Sequence, residues 1–237
     1  MSGPLDPLNK HLKALQARIA ACEAKLGIEA PAGGGAGGAD DDEVEPSEAQ
    51  IEFGTFMKES IAPFVATGNE IGDVAAKLAG LVQRAANENA SFLDKANRCK
   101  KPAMTKLQEL IKPISEICKE AGAMNDRSSP FANHIKFVSE GLPAFSWVII
   151  DSMPHTAVQG YLEAGEFYAN KVRVEFKSKD ARHVTFCNQF KSALTNLTAF
   201  VKKHFKTGLA WNPRGKDVDA AGGAAPAAAA TAPTGGA

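Results

Sequence analysis

The sequence predicts an all-α protein: an antiparallel up-and-down six-helix bundle over residues 51–216, preceded by a short N-terminal coiled-coil helix within residues 1–27. Three observations carry this expectation. Apolar residues recur at helical spacing through nearly all of residues 51–205. Segments that alternate apolar with polar residues are few, and glycine–asparagine hairpin signals are absent. The breaks between helical stretches run from two to eight residues, which makes successive helices antiparallel neighbours.

The first element carries Leu5, Leu8, Leu12, Leu15, Ile19, Cys22 and Leu26, with gaps that alternate three and four without a miss. That spacing is the seam of a coiled coil. Asp6 and Pro7 supply an N-cap and first helical residue, and Gly27 a stop. So short a helix does not stand alone in water, so it is expected to associate with copies of itself as a homo-oligomer. A helix lying on a membrane surface is the alternative, weakened because the apolar side has neither Trp nor Phe. Residues 28–50 read as a disordered linker of glycine, alanine and acidic residues.

The first bundle helix is expected from Ile51 to Val65, with Phe53, Phe56, Met57, Ile61 and Phe64 on one side. The second begins near Asn69 and runs through Ile71, Val74, Leu78, Leu81 and Val82 toward Arg98. Pro102 suits the first position of a third, whose apolar face is Leu107, Leu110, Ile111, Ile114, Ile117 and Cys118. Ser129 and Pro130 open a fourth that continues to Ile149 with Pro143 inside it. Pro154 marks a break, the fifth helix spans about Thr156–Lys177, and Asp180 caps a sixth from Ala181 to Phe205. Pro63, Pro113 and Pro143 each cost up to about 3 kcal/mol unless absorbed as kinks. The aromatic residues Trp147, Phe167 and Tyr168 are assigned to the core, and Trp211 to a GLAWNPRG strap that packs back on the bundle. Residues 217–237 form a low-complexity tail of Ala, Gly, Pro and Thr, expected to be disordered or to continue as a linker.

The formal net charge of zero is a cancellation between regions. Residues 1–50 carry four basic and nine acidic side chains, and residues 51–216 carry a net +7. Residues 171–216 hold eleven basic side chains against Glu175 and Asp180. An acidic partner surface follows, with a solvated basic face as the alternative. The four cysteines show no C-x-x-C spacing, so free thiols in a reducing compartment are expected. There is no run of about 18 apolar residues to span a membrane and no apolar core of a signal peptide, which gives a cytoplasmic reading. Phosphate-loop, H-E-x-x-H and G-x-S-x-G patterns are absent, and no histidine lies three residues after Glu140, Glu163, Glu166 or Glu175. The chain is therefore read as a non-enzyme without metal or cofactor. Nucleic acid is not expected as a partner, because the positive charge comes without a recognition motif.

Four segments carry a family resemblance: KPAMTKLQELIKPISE (101–116), FANHIKFVSEGLPAFSWV (131–148), EFYANKVRVEFKSKDARHV (166–184) and HFKTGLAWNPRG (204–215). In this order they resemble the N-terminal helical domain of cyclase-associated protein, and the heptad segment sits where that family has its oligomerising coiled coil. The resemblance implies a six-helix bundle that engages actin together with cofilin, promoting filament disassembly and monomer recycling at the actin cytoskeleton. It also implies adenylyl cyclase as a partner of the coiled coil, as in some fungi. On motif-matching positions the implied contact residues are Asn133, His134, Ser139 and Glu140 of the fourth helix, with Tyr168, Asn170, Lys171, Arg173 and Lys177 of the fifth. The family's proline-rich tract and C-terminal β-domain are missing, so the chain reads as an N-terminal fragment or a shortened relative. The heptads read LNKHLKALQARIAACEAKL, departing from the family's repeated Arg-Leu-Glu pattern. An oligomeric scaffold, or a basic module binding acidic membranes or nucleic acid, is the alternative function.

Overall fold

A capping box starts the bundle three residues ahead of its expected first helix. The Gln50 amide N–H donates to Ser47 Oγ at 3.3 Å, and the Ser47 N–H donates to Gln50 Oε1 at 2.8 Å. The computed structural model describes residues 44–218. The heptad positions Leu5 to Leu26, the linker as far as Glu43 and the tail beyond Val218 lie outside the described residues.

Among the described residues there are six helical segments and no strand. The first comprises α1 (Glu48–Phe56), a π-helical turn (Met57–Ile61) and α2 (Ala62–Ile71). Then come α3 (Asp73–Arg98), α4 (Met104–Ala123), α5 (Ala132–Gly141) continued by a 3₁₀ helix (Leu142–Ile149), α6 (Pro154–Phe176) and α7 (Ala181–His204). Helix α7 packs on α6 and α2, α6 on α5, and α3 on α2 and α4.

Two of the three internal prolines change the kind of helix. Pro63 lacks an N–H, and its ring would strike the carbonyl four residues back. The preceding turn widens, so that the Ala62 N–H bonds Met57 O five residues back, and the chain passes Pro63 without stopping. The expected end at Val65 is thereby overrun by a turn and a half. At Pro143 the helix tightens instead. The 3₁₀ geometry stacks residues three apart, placing Leu142, Phe145 and Val148 in one row and Ala144 and Trp147 in another, all buried. Pro113 stays inside α4.

Two other boundaries differ from expectation. Asn69 and Ile71 belong to the end of α2, because Gly72 (φ 80°, ψ −167°) and Asp73 (φ 44°) turn the chain between helices. Only glycine adopts the Gly72 conformation without strain. Pro102 precedes α4 by two residues rather than opening it. Asp180 caps α7 as the sequence indicates, accepting the Arg182 N–H at 3.0 Å.

The core is rich in aromatic rings. Phe64 stacks on Phe190 with ring centres 5.2 Å apart and lies 4.5 Å from Phe186, while Phe53 meets Phe200 at 5.3 Å. Trp147 is fully buried, and its indole N–H donates to Asn89 Oδ1 at 2.6 Å. Asn89 in turn donates to the Phe145 carbonyl at 2.7 Å, so this buried amide is paired at both its oxygen and its nitrogen. Cys99, Cys118 and Cys187 are free thiols.

The segment after α7 is the expected strap. Trp211 packs on the core, the Asn212 N–H donates to the Ala96 carbonyl at 2.9 Å, and the Lys216 N–H to the Arg98 carbonyl at 3.2 Å. Gly208 (φ 90°) passes so close that a Cβ there would lie 2.9 Å from Asp151 Cα.

Candidate functional site

Helix α6 begins at Pro154, whose ring presets the first helical φ. Along it, Phe167, Asn170, Lys171, Val174 and Lys177 fall within an arc of about 120° at 100° per residue. Three of these, Asn170, Lys171 and Lys177, carry the expected basic and polar character, but the arc also holds two apolar side chains that burial does not claim. Phe167 is 62% exposed and Val174 81% exposed. Phe167 therefore leaves the core assignment: its position on the wheel is set by Asn170 and Lys171, and the inner side of α6 is already filled by Gly165, Ala169 and Val172. The Lys171 ammonium stands 4.4 Å from the centre of the Phe167 ring, a cation–π contact. The outer face of α6 is thus a stripe in which apolar and cationic groups alternate.

The other expected residues divide. Tyr168 is half-buried, edge-on to Phe167 at 5.4 Å, and packs on the core. Arg173 turns toward α7 and donates to Glu166 Oε1 at 2.8 Å, Asn170 Oδ1 at 2.7 Å and Asn188 Oδ1 at 2.9 Å. Lys191 donates to the same Glu166 oxygen at 2.9 Å. Partial burial pushes the Glu166 carboxyl up, but hydrogen bonds from Lys191 and Arg173 outweigh it and leave the group below the usual carboxylate range. Arg173 is therefore an internal brace. On α5, Asn133, Ser139 and Glu140 are half-buried, and the Ser139 hydroxyl donates to the Lys136 carbonyl at 3.1 Å. Among the described residues no hydrogen bond or ion pair joins these α5 residues to the α6 stripe.

His134 lies beneath the surface, with no exposed area, which corrects its expected place on a contact surface. Its Nε2 is 2.9 Å from Nδ1 of His183, so one ring donates a proton to the lone pair of the other. Both histidines occupy the first turn of a helix, where the positive dipole end disfavours a cation. Phe176 stacks on His183 at 4.0 Å, and Phe131 lies 5.3 Å from His134. Burial in this aromatic box, helped by His183, pushes the His134 pKa down to about 3. Burial also lowers His183, against the opposing pull of Asp180, whose carboxylate is 3.8 Å from His183 Nε2. The pair crosses 49 residues of sequence, and no local spacing announces it.

Among the described residues one group could bring three metal-ligating side chains together: Glu48, Glu52 and His204. The Lys203 ammonium binds both carboxylates and His204 donates to Glu52 at 2.8 Å, so a cation would have to displace a lysine that already holds the two acidic groups.

The family model described as "CAP, N-terminal domain" matches residues 53–209, more than half of the chain. The chain belongs to the CAP N-terminal domain family. An adenylyl cyclase-associated protein of Dictyostelium discoideum is 31% identical over 232 residues, covering 97% of this chain and 48% of that protein. The human adenylyl cyclase-associated protein 1 is 33% identical over 165 residues, covering 69% of this chain and 35% of the relative. The chain thus spans about half or less of the length of these relatives. The solved N-terminal domain of the Dictyostelium protein is 30% identical, with a TM-score of 0.68, covering 72% of this chain and 98% of that one. A second CAP N-terminal domain structure, reported to indicate variable oligomerisation, matches at 31% identity and a TM-score of 0.69, covering 73% and 95%. These likenesses bear out the all-helical class and the resemblance carried by the four sequence segments. No helix among the described residues is long and apolar enough to cross a membrane.

Proposed function

We propose that this CAP N-terminal domain is a non-enzymatic actin-binding module of the cytoplasmic actin cytoskeleton. It acts with cofilin to promote filament disassembly and monomer recycling. The observation that carries the reading is the α6 stripe, where Phe167 and Val174 stay exposed between Lys171 and Lys177. Exposed aromatic and aliphatic groups with cations around them fit a partner surface that is part apolar and part acidic. Asn170 sits within the stripe, and Asn133, Ser139 and Glu140 extend the candidate set on α5. The heptads from Leu5 to Leu26 supply a homo-oligomer, and multivalency raises apparent affinity without new contacts. Adenylyl cyclase is a further partner of the coiled coil, in keeping with the names of the relatives.

The variant that tests this reading is Lys171→Glu with Val174→Asp and Lys177→Glu, which leaves the Arg173 brace intact. Cofilin-dependent depolymerisation of pyrene-labelled actin is expected to slow about tenfold or more, since interface changes of 1–3 kcal/mol each are usual at such positions. Unchanged kinetics in a variant with wild-type thermal stability removes α6 from the site.

A further inference from the structure

Helix α6 is patterned twice. Val158, Leu162, Gly165, Ala169, Val172 and Phe176 follow one another at gaps of four and three, and all are buried or packed against the core. On the opposite side Ala157, Gly160, Ala164, Phe167, Lys171 and Val174 run at gaps of three and four without a miss. Such gaps hold successive residues on one side through several turns, which is how one helix presents a seam to another. The inner seam has its partners in α5 and α7. The outer seam has none among the described residues: every member except Ala157 is exposed.

The outer seam is graded in relief and in charge. At Gly160 and Ala164 little side chain covers the backbone, and a Cβ added at Gly160 would meet nothing within 4 Å. A helix laid over this shelf can bring its axis to about 8 Å, the close end of the range for packed helices. One turn beyond Ala164, Phe167 stands out as a knob, and Val174 follows two turns later. Between them Lys171 interrupts the apolar row, with its ammonium by the Phe167 ring and no ion pair among the described residues. A lone lysine in a seam costs stability unless the facing helix answers it with an acidic group, and so it selects both partner and register. At 100° per residue the row drifts about 20° per heptad, which a facing helix follows by a shallow left-handed wrap.

We propose that the outer face of α6 receives an amphipathic helix of its partner, packed along the seam from Gly160 to Val174. Its bulky apolar residues lie over Gly160 and Ala164, and an acidic residue meets Lys171. About four turns of helix, roughly 21 Å, span that length. The partner is the one proposed above for this stripe, so the inference rests on that reading and adds the form of the partner's element. A second copy of this chain fits less well, because its own seam carries no acidic residue to answer Lys171.

The test uses the full chain with Gly160→Leu and Ala164→Leu in one variant. Both positions are exposed and helical, so the melting temperature is expected to stay level or rise. Leucines there hold a facing helix off the shelf, and cofilin-dependent depolymerisation of pyrene-labelled actin is expected to slow about tenfold or more. Unchanged kinetics overturns the seam. If the variant with Lys171→Glu, Val174→Asp and Lys177→Glu is slow at the same time, the actin reading stands without it; if that variant is unchanged too, both fall. A photo-crosslinking p-benzoyl-L-phenylalanine placed at Glu163, beside the seam, then identifies the occupant by mass spectrometry. A crosslink to a helical segment of actin or cofilin that bears acidic residues is expected. A crosslink to an extended segment, or only to a second copy of this chain, overturns the proposal.

Discussion

Lowering the pH from 7 to 5 should destabilise this bundle through the His134–His183 pair, before its carboxylates begin to titrate. In the folded state burial holds His134 at a pKa of about 3, while an unfolded histidine titrates near 6.5. The folded pKa is the depressed one, so above pH 6.5 neither state holds the proton and the group adds no pH dependence. Below 6.5 the unfolded chain takes a proton that the folded chain refuses, and stability falls by about 1.4 kcal/mol per pH unit. At pH 5 the loss from His134 alone is about 2 kcal/mol, and it levels off only as pH approaches 3. His183 shifts in the same direction and adds to the loss. Glu52, Glu166 and Asp180 have lowered pKa values as well, but their contribution disappears at lower pH, as it falls through the carboxylate range. The window from 7 to 5 therefore isolates the histidines. Urea unfolding followed by tryptophan fluorescence should show a midpoint about 1 M lower at pH 5, for a slope of 1–3 kcal/mol per molar urea. In His134→Gln, whose amide N–H can still donate to His183, the fall should shrink by about 2 kcal/mol. A variant with the same pH profile as the wild type would refute the assignment.

Two further perturbations follow from the packing. Replacing Asn89 by Ala strands both the Trp147 indole N–H and the Phe145 carbonyl in the core, each worth about 1–3 kcal/mol. A drop in melting temperature of about 10 °C or more is expected by calorimetry, and a drop under 2 °C contradicts the network. Gly208→Ala forces a Cβ against Asp151 at a positive φ, costing about 1–3 kcal/mol. The loss should show as faster proteolysis of residues 206–217 with little change in the melting of the bundle.

Much of the fold was legible because helices leave two kinds of mark in a sequence, an apolar period and its punctuation. The stretch from Leu78 to Leu93 shows the period, and Asp180 and Pro154 show the punctuation. The misses have specific causes. Ser47 and Gln50 formed a capping signature of the right spacing inside what reads as acidic linker, so composition masked a local hydrogen-bond motif. Pro63 and Pro143 read as kinks, yet one widened its turn and the other tightened it, a choice made by what each side must bury. The stripe on α6 is half visible in the sequence: the family resemblance points to Asn170, Lys171 and Lys177, while the general habit of aromatic residues places Phe167 in the core. A helical wheel would have placed it beside Lys171. The His134–His183 pair was not legible, because it joins the first turns of two helices far apart in the chain, and pairing at that range depends on the packed fold.

The strap has a mechanical consequence. Asn97 donates to the Glu45 carbonyl at 3.0 Å, while Asn212 and Lys216 bond to carbonyls of the same last turns of α3 and its cap. The chain thus enters and leaves the bundle at one pole, both leads sewn to α3. A pull between residues 45 and 216 loads those few backbone and amide hydrogen bonds first and leaves the aromatic interior unstretched. Under tension the strap acts as a fuse: it can peel and reseat while the six helices keep their packing.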